Sequence, residues 1–79
     1  MYMEQTTRRR NPLADAIRTE KEMQGLTYAG IANSFGKSEW TLRRRLDSPE
    51  RFGIDELGAI GVYITVPLDD LVTLWKESV

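Results

Sequence analysis

Helix-capping residues recur at short intervals along this chain and limit the length of each element. Asn11, Thr27 and Ser38 each carry a side-chain oxygen that can accept a hydrogen bond from a free amide at a helix N-terminus. Gly25 and Gly36 follow two of the segments marked in this way, and glycine ends helices because it tolerates positive φ. The pattern therefore predicts a series of short helices.

Apolar residues at helical spacing divide the chain into five such helices. The first is expected to begin at Pro12, because proline suits the first helical position. The fourth, residues 54–63, has a strand as its alternative, since residues 62–66 are rich in β-branched side chains. We expect a compact all-α fold with its other helices at residues 28–35, 39–46 and 68–77 and a loop at residues 47–50.

A chain of 79 residues has room for one small core. Residues 1–10 are polar and basic and lack periodic apolar positions, so we predict a flexible N-terminal arm there. Residues 11–79 are predicted to form the single domain.

The net charge of −1 conceals two unlike halves. Met1 to Leu46 holds nine Lys and Arg against five acids, whereas Asp47 to Val79 holds two against seven. Such asymmetry suggests an anionic partner for the basic half. The alternative is that charge falls unevenly by chance in a short chain.

The chain contains no cysteine and no histidine. A disulfide, a thiolate zinc site and a cysteine nucleophile are therefore excluded, and the commonest general base is missing. Asp69 and Asp70 are adjacent, and adjacent side chains diverge by about 100° on a helix. Their position in a first helical turn, where negative charge is favourable, therefore explains them better than a catalytic pair does. We expect no enzymatic activity, no metal, no other cofactor and no small-molecule ligand.

No segment has the sequence of a membrane span or a secretion signal. The longest weakly polar stretch, residues 57–68, falls short of the roughly 18 to 20 apolar residues that cross a bilayer. The arginines at residues 8–10 are not followed by an apolar region. A cytoplasmic location is therefore expected.

The segment from Thr27 to Leu46 has the pattern of two short helices that pack on each other. Ala32 is small enough for the second helix to cross close against the first. Leu42 and Leu46 mark the inner side of the second helix, so at about 100° per residue Arg44 lies on the opposite, outer side.

In these residues the chain resembles the helix-turn-helix of the phage Cro and repressor class, the Cro/C1-type (XRE-like) bacterial regulators. The resemblance rests on Ala32, on Gly36 four residues later and on Leu42 six residues further on. Residues 25–28, 52–57 and 66–71 also resemble segments of that family, so that the similarity covers roughly residues 13–74.

Two positions depart from the family pattern. Lys37 occupies a turn position that is usually apolar, and Arg45 occupies a helix position where the family often has an aliphatic residue. We expect Leu46, one place later, to supply the missing apolar anchor.

The resemblance implies a lambda-repressor-like domain whose third helix enters the major groove of double-stranded DNA. Base reading is then expected from Ser38, Glu39, Trp40 and Arg44. Phosphate contacts are expected from Thr27, Tyr28, Lys37, Thr41, Arg43 and Arg45, with Arg8, Arg9 and Arg10 of the arm near the minor groove or the phosphates. A homodimer on a pseudo-palindromic operator is expected to form through Leu71, Leu74, Trp75 and Val79.

Several of these assignments have plainer alternatives. Trp40 is as readily a packing residue against the first or fourth helix, and Glu39 a partner of the helix dipole. Leu71 and Trp75 are equally suited to the core of a monomer.

For the whole chain, the favoured function is that of a small phage or prophage transcription regulator. One alternative is an antitoxin-like interaction module, and another is a recombination-directionality or architectural DNA-binding factor.

Overall fold

The computed structural model describes residues 10–79, which form five α-helices and one short 3₁₀ helix. None of these residues belongs to a β-strand, so the strand considered for residues 62–66 does not form. Within the described residues, the prediction of an all-α fold with five helices is confirmed. The helices are α1 (Pro12–Gln24), α2 (Tyr28–Ser34), α3 (Glu39–Asp47), α4 (Ile54–Ile64) and α5 (Leu68–Ser78), and the 3₁₀ helix is Pro49–Arg51.

The predicted capping residues begin the first three helices. Asn11, Thr27 and Ser38 each accept a hydrogen bond from the backbone N–H three residues later, at 3.1, 3.0 and 3.2 Å. Gly25 and Gly36 adopt φ values of 67° and 75°, in the left-handed region that favours glycine. Each cap contributes about 1 kcal/mol, so local chemistry determines where these helices begin.

The core lies where all five helices meet. Leu42 and Leu46 are both buried, as predicted for the inner side of α3. Leu71, which we expected at a dimer surface, lies inside this core because α5 packs against α1 and α4 along that side. The buried apolar residues are Leu13, Ala14, Ile17, Ile31, Ala32, Leu42, Leu46, Phe52, Leu57, Ile60, Ile64 and Leu71.

Hydrogen bonds from α1 and its cap connect the ends of the other helices. The Asn11 side-chain amide donates to the carbonyl of Leu46, at the last turn of α3, at 2.6 Å. The Gln24 amide donates to the carbonyl of Ile64, at the end of α4, also at 2.6 Å. These bonds satisfy carbonyls that a helix end leaves without an intrahelical partner, and they connect α1 and its cap to the ends of α3 and α4.

The predicted loop at residues 47–50 is instead partly helical. The 3₁₀ helix is fixed by α5, because the Trp75 indole N–H donates to the carbonyl of Pro49 at 2.7 Å.

No helix within residues 10–79 has both the length and the apolarity needed to cross a membrane. Arg8 and Arg9 of the predicted arm lie outside the described residues, and Arg10 is exposed.

Candidate nucleic-acid interface

Helices α2 and α3 are joined by a short turn at residues 35–38. The backbone N–H of Lys37 donates to the carbonyl of Ala32 at 3.0 Å, and the left-handed Gly36 reverses the chain between them. Ile31 and Ala32 of α2 are fully buried in the core into which α3 also packs. The turn and the core therefore hold α3 with one face inside and the other at the surface.

The residues predicted to read bases all lie at the surface of α3. Ser38, Glu39 and Arg44 are exposed, and Trp40 keeps 67% of its surface exposed. Trp40 therefore does not pack against α1 or α4, which was the alternative for this residue. An indole with so much exposed apolar surface is unusual on a short helix, since large aromatic side chains are generally packed.

The three consecutive arginines of α3 differ in their partners. Arg43 forms an ion pair with Glu39, one turn earlier on the same helix, with Nε and a terminal nitrogen both 2.9 Å from one carboxylate oxygen. Arg45 forms an ion pair with Glu56 of α4, and both side chains of this pair are only 19% exposed. Within residues 10–79, Arg44 has neither a hydrogen bond nor an ion pair.

Arg44 instead stacks on Trp40, which lies one turn earlier. The guanidinium carbon is 4.9 Å from the centre of the indole ring. A guanidinium that stacks through its face keeps its five N–H donors free at its edge. The pair thus presents an apolar ring and an unneutralised fork of donors side by side.

An open cleft of about 290 Å³ adjoins this pair. Three arginines line it, because Arg51 of the 3₁₀ helix approaches Arg44 and Arg45 of α3, and Trp40 and Thr41 complete its wall. Arg51 is exposed and has no carboxylate partner among the described residues. With Arg45 balanced by Glu56, the cleft holds two uncompensated positive charges, which suits an anion such as a phosphate.

Arg51 is a site residue that the sequence reasoning missed. Its neighbourhood was predicted as a loop, which gives a side chain no direction. Its position depends on the bond from Trp75 to Pro49, and those residues are 26 positions apart. No local sequence signal could have indicated that contact.

A second group of cations surrounds Tyr28 at the start of α2. The Lys21 ammonium lies 4.8 Å from the centre of the phenol ring, and the Arg43 guanidinium carbon lies 4.4 Å from it. Lys21 comes from the last turn of α1 and was not predicted to belong to the site. Thr27, which precedes Tyr28, and Lys37, in the turn after α2, are both exposed. The Thr27 hydroxyl accepts a hydrogen bond from the Gly30 N–H as the cap of α2.

Glu56 connects the site to the rest of the fold. One of its carboxylate oxygens accepts the ion-pair hydrogen bond from Arg45 and also a hydrogen bond of 2.9 Å from the backbone N–H of Gly53. An acid at the third helical position is the capping-box signal that would have indicated the second bond.

The residues predicted for dimerisation are mostly involved in packing within the monomer. Leu71 has no exposed surface, and Leu74 and Trp75 are half-buried against the core. Val79 alone of the four is classed as exposed, at 53%. Exposed apolar surface also lies on α4, where Val62 is 84% exposed beside an open groove of about 370 Å³ lined by Gly58, Gly61, Val62, Thr65, Val66, Pro67 and Leu68.

No cluster of three or more potential metal ligands occurs within residues 10–79. Asp69 and Asp70 are exposed in the first turn of α5.

No family model, no curated protein and no solved structure matches the chain. Side-chain geometry and charge are therefore the basis for assigning a function.

Proposed function

We propose that the chain binds double-stranded DNA in a sequence-specific manner and acts as a small transcription regulator of the Cro/C1 type. In this proposal α2 and α3 form the helix-turn-helix of a lambda-repressor-like domain. The observation that carries it is the exposed Trp40 and Arg44 pair on the outer face of α3, a helix whose inner face is buried.

The dimensions and the charge of α3 support this function. The major groove of B-DNA is about 12 Å wide and admits an α-helix, whose diameter with side chains is about 10 to 12 Å. The nine residues of α3 give it a length of about 14 Å. Its outer surface presents Arg44, the adjoining cleft presents Arg51, and neither charge is neutralised within residues 10–79. An unneutralised arginine suits either target on a duplex, and here Arg44 is assigned to base edges and Arg51 to the phosphates.

The proposed contacts divide into base reading and phosphate binding. Arg44 donates to guanine O6 and N7, and Trp40 packs on a thymine methyl group. Ser38 and Glu39 complete the reading face, although Glu39 must exchange its Arg43 partner for a cytosine amino group. The phosphate contacts come from Thr27, Tyr28, Lys37, Thr41, Arg43 and Arg45, to which we add Arg51, with the arginines of residues 8–10 reaching an adjacent groove or backbone.

Regulation by such a domain requires two copies. One reading helix contacts few base pairs, so we propose a homodimer on a pseudo-palindromic operator, with half-sites about 34 Å apart and in the cytoplasm of a bacterial host. Bound at a promoter, the dimer acts by excluding polymerase. The acidic second half of the chain, apart from the segment that carries Arg51, then faces away from the phosphates.

The groove on α4 favours a second candidate function, that of an interaction module such as an antitoxin. Val62 and the groove beside it form an exposed apolar surface in the acidic half of the chain. Surfaces of this kind mark protein interaction sites. Co-purification of a stoichiometric protein partner, lost in Val62→Asp and retained in Arg44→Ala, is the result that would favour this candidate.

A selection from random duplex DNA at a stated salt concentration tests the proposed function. The expected result is an enriched motif with two-fold symmetry for the native chain, and a motif that loses information at one position of each half-site for Arg44→Ala. Arg18→Ala is a matched control, because Arg18 is an exposed arginine of α1. Failure of the native chain to enrich any motif contradicts the proposal.

A further inference from the structure

The stacking of Arg44 on Trp40 restricts which bases the two side chains can read together. The guanidinium and the indole lie one helical turn apart in sequence and 4.9 Å apart in space. On the basis of the DNA binding proposed above, we infer that the pair acts as one unit that recognises a guanine and, in the adjacent base pair, a thymine.

The plane of the guanidinium determines where a group stacked on it lies relative to the base. Binding to guanine O6 and N7 uses two parallel N–H donors, and these lie in the plane of the guanidinium. The guanidinium of Arg44 is therefore close to coplanar with the base it reads. A group stacked on the face of the guanidinium then lies above or below that base and not beside it.

The distance between the two side chains and the spacing of base pairs together determine which base pair the indole meets. Successive base pairs are about 3.4 Å apart along the helix axis. The ring centre is 4.9 Å from the guanidinium carbon, so its offset along the DNA axis is at most 4.9 Å, short of the roughly 6.8 Å that separates the guanine from the second base pair. Trp40 consequently meets the major-groove edge of a base pair directly next to the guanine.

The major-groove edge of that base pair differs in chemistry among the four bases. Thymine alone among the four bases presents a methyl group in the major groove, whereas cytosine and adenine present amino donors and guanine presents acceptors. Contact between an apolar ring and a methyl group favours binding, because both surfaces leave water. Contact with an amino or carbonyl group opposes binding, because that group loses its hydrogen bonds to water. Trp40, with 67% of its surface exposed, has the area to make that contact.

The free chain already holds this arrangement. Arg44 has no carboxylate within residues 10–79 that would hold it elsewhere, and stacking keeps its donors at the edge of the guanidinium. Trp40 is thus both a reader of the thymine and a positioning residue for Arg44. Replacement of Trp40 is expected to weaken the selectivity for guanine as well as that for thymine.

The test uses the selected operator and chemically altered bases. Replacement of the adjacent thymine by deoxyuridine removes one methyl group and is expected to weaken binding of the native chain about fourfold, from about 0.8 kcal/mol per buried carbon. Trp40→Ala is expected to bind both operators equally. Met23→Ala, which truncates an exposed apolar residue on α1, is the matched control and is expected to keep the fourfold difference.

A second arm tests the coupling to guanine. Replacement of the guanine by 7-deazaguanine removes the N7 acceptor, and the resulting loss of affinity is expected to be smaller in Trp40→Ala than in the native chain and absent in Arg44→Ala. Circular dichroism and thermal unfolding verify that each variant is folded.

The outcomes separate this inference from the proposed function. Enrichment of a motif without a thymine next to a guanine, or equal affinity of the native chain for the thymine and deoxyuridine operators, overturns the paired reading and leaves DNA binding in place. Absence of any sequence preference overturns both.

Discussion

Removal of the Glu56 carboxylate is expected to lower stability and raise DNA affinity at the same time. Glu56 forms two contacts, the ion pair with Arg45 and the hydrogen bond from the Gly53 N–H. Glu56→Ala leaves the Gly53 amide without its partner, which costs about 1 kcal/mol by analogy with other helix caps. It also leaves Arg45 unpaired at a site where both side chains are only 19% exposed.

The magnitude follows from that partial burial. An exposed ion pair contributes about 0 to 1 kcal/mol, whereas breaking a buried pair costs about 3 to 5 kcal/mol. A pair that retains a fifth of its exposure belongs between these limits, so we take about 1 to 2 kcal/mol for it. With the cap, Glu56→Ala is expected to lose about 2 to 3 kcal/mol, which lowers Tm by roughly 10 to 20 °C in a domain of this size.

The same substitution frees a cation beside the proposed phosphate-binding cleft. Arg45 no longer has a carboxylate to neutralise it, so affinity for random duplex DNA is expected to rise. The slope of log K against log salt is expected to become steeper by about one. Glu56→Gln separates the two effects, because its amide oxygen still accepts from Gly53 while the negative charge is lost.

Urea unfolding and salt titrations of DNA binding measure the two quantities. A loss of stability below about 0.5 kcal/mol, the size of a typical surface substitution, would refute the role of Glu56 in connecting α3 to α4. An unchanged salt slope in both variants would refute the reasoning that Glu56 neutralises a DNA-facing charge.

Three further predictions concern stability, each measured by thermal or urea unfolding. Gly58→Ala is expected to stabilise the fold by about 0.5 to 1 kcal/mol, since a Cβ there meets nothing within 4 Å. Gly61→Ala is expected to destabilise the fold, because its Cβ would lie 2.7 Å from a backbone carbonyl oxygen. Equal effects in the two variants would contradict this reading of α4. Thr65→Gly is expected to stabilise by roughly 0.5 to 1 kcal/mol, because Thr65 has φ 61° and a β-branched residue is strained there; a net loss would contradict that. Trp75→Phe removes the hydrogen bond to Pro49 and is expected to cost about 1 to 2 kcal/mol, and a neutral result would show that α5 does not hold the 3₁₀ helix.

The features predicted correctly from the sequence are those set by neighbouring residues. Asn11, Thr27 and Ser38 cap their helices through a backbone amide three positions away, and the sequence contains both partners within one turn. Leu42 and Leu46 mark the inner side of α3 by helical periodicity alone. Such signals need no knowledge of the tertiary structure.

The features that were missed depend on contacts between distant residues. Arg45 departs from the family pattern, and its partner Glu56 lies eleven positions away across the 3₁₀ helix. Arg51 is oriented through Trp75 of α5. Leu71 has the composition of either a core or an interface residue, and only the packing of α5 against α1 and α4 distinguishes the two.

The most direct test of the central claim compares Arg44→Ala with Arg51→Ala on the selected operator and on random duplex DNA. We expect Arg44→Ala to weaken operator binding by about 1 to 3 kcal/mol and to leave binding to random DNA nearly unchanged. We expect Arg51→Ala to weaken both alike and to lower the salt slope by about one. Equal losses on the two DNAs for Arg44→Ala would contradict the claim that the outer face of α3 reads bases.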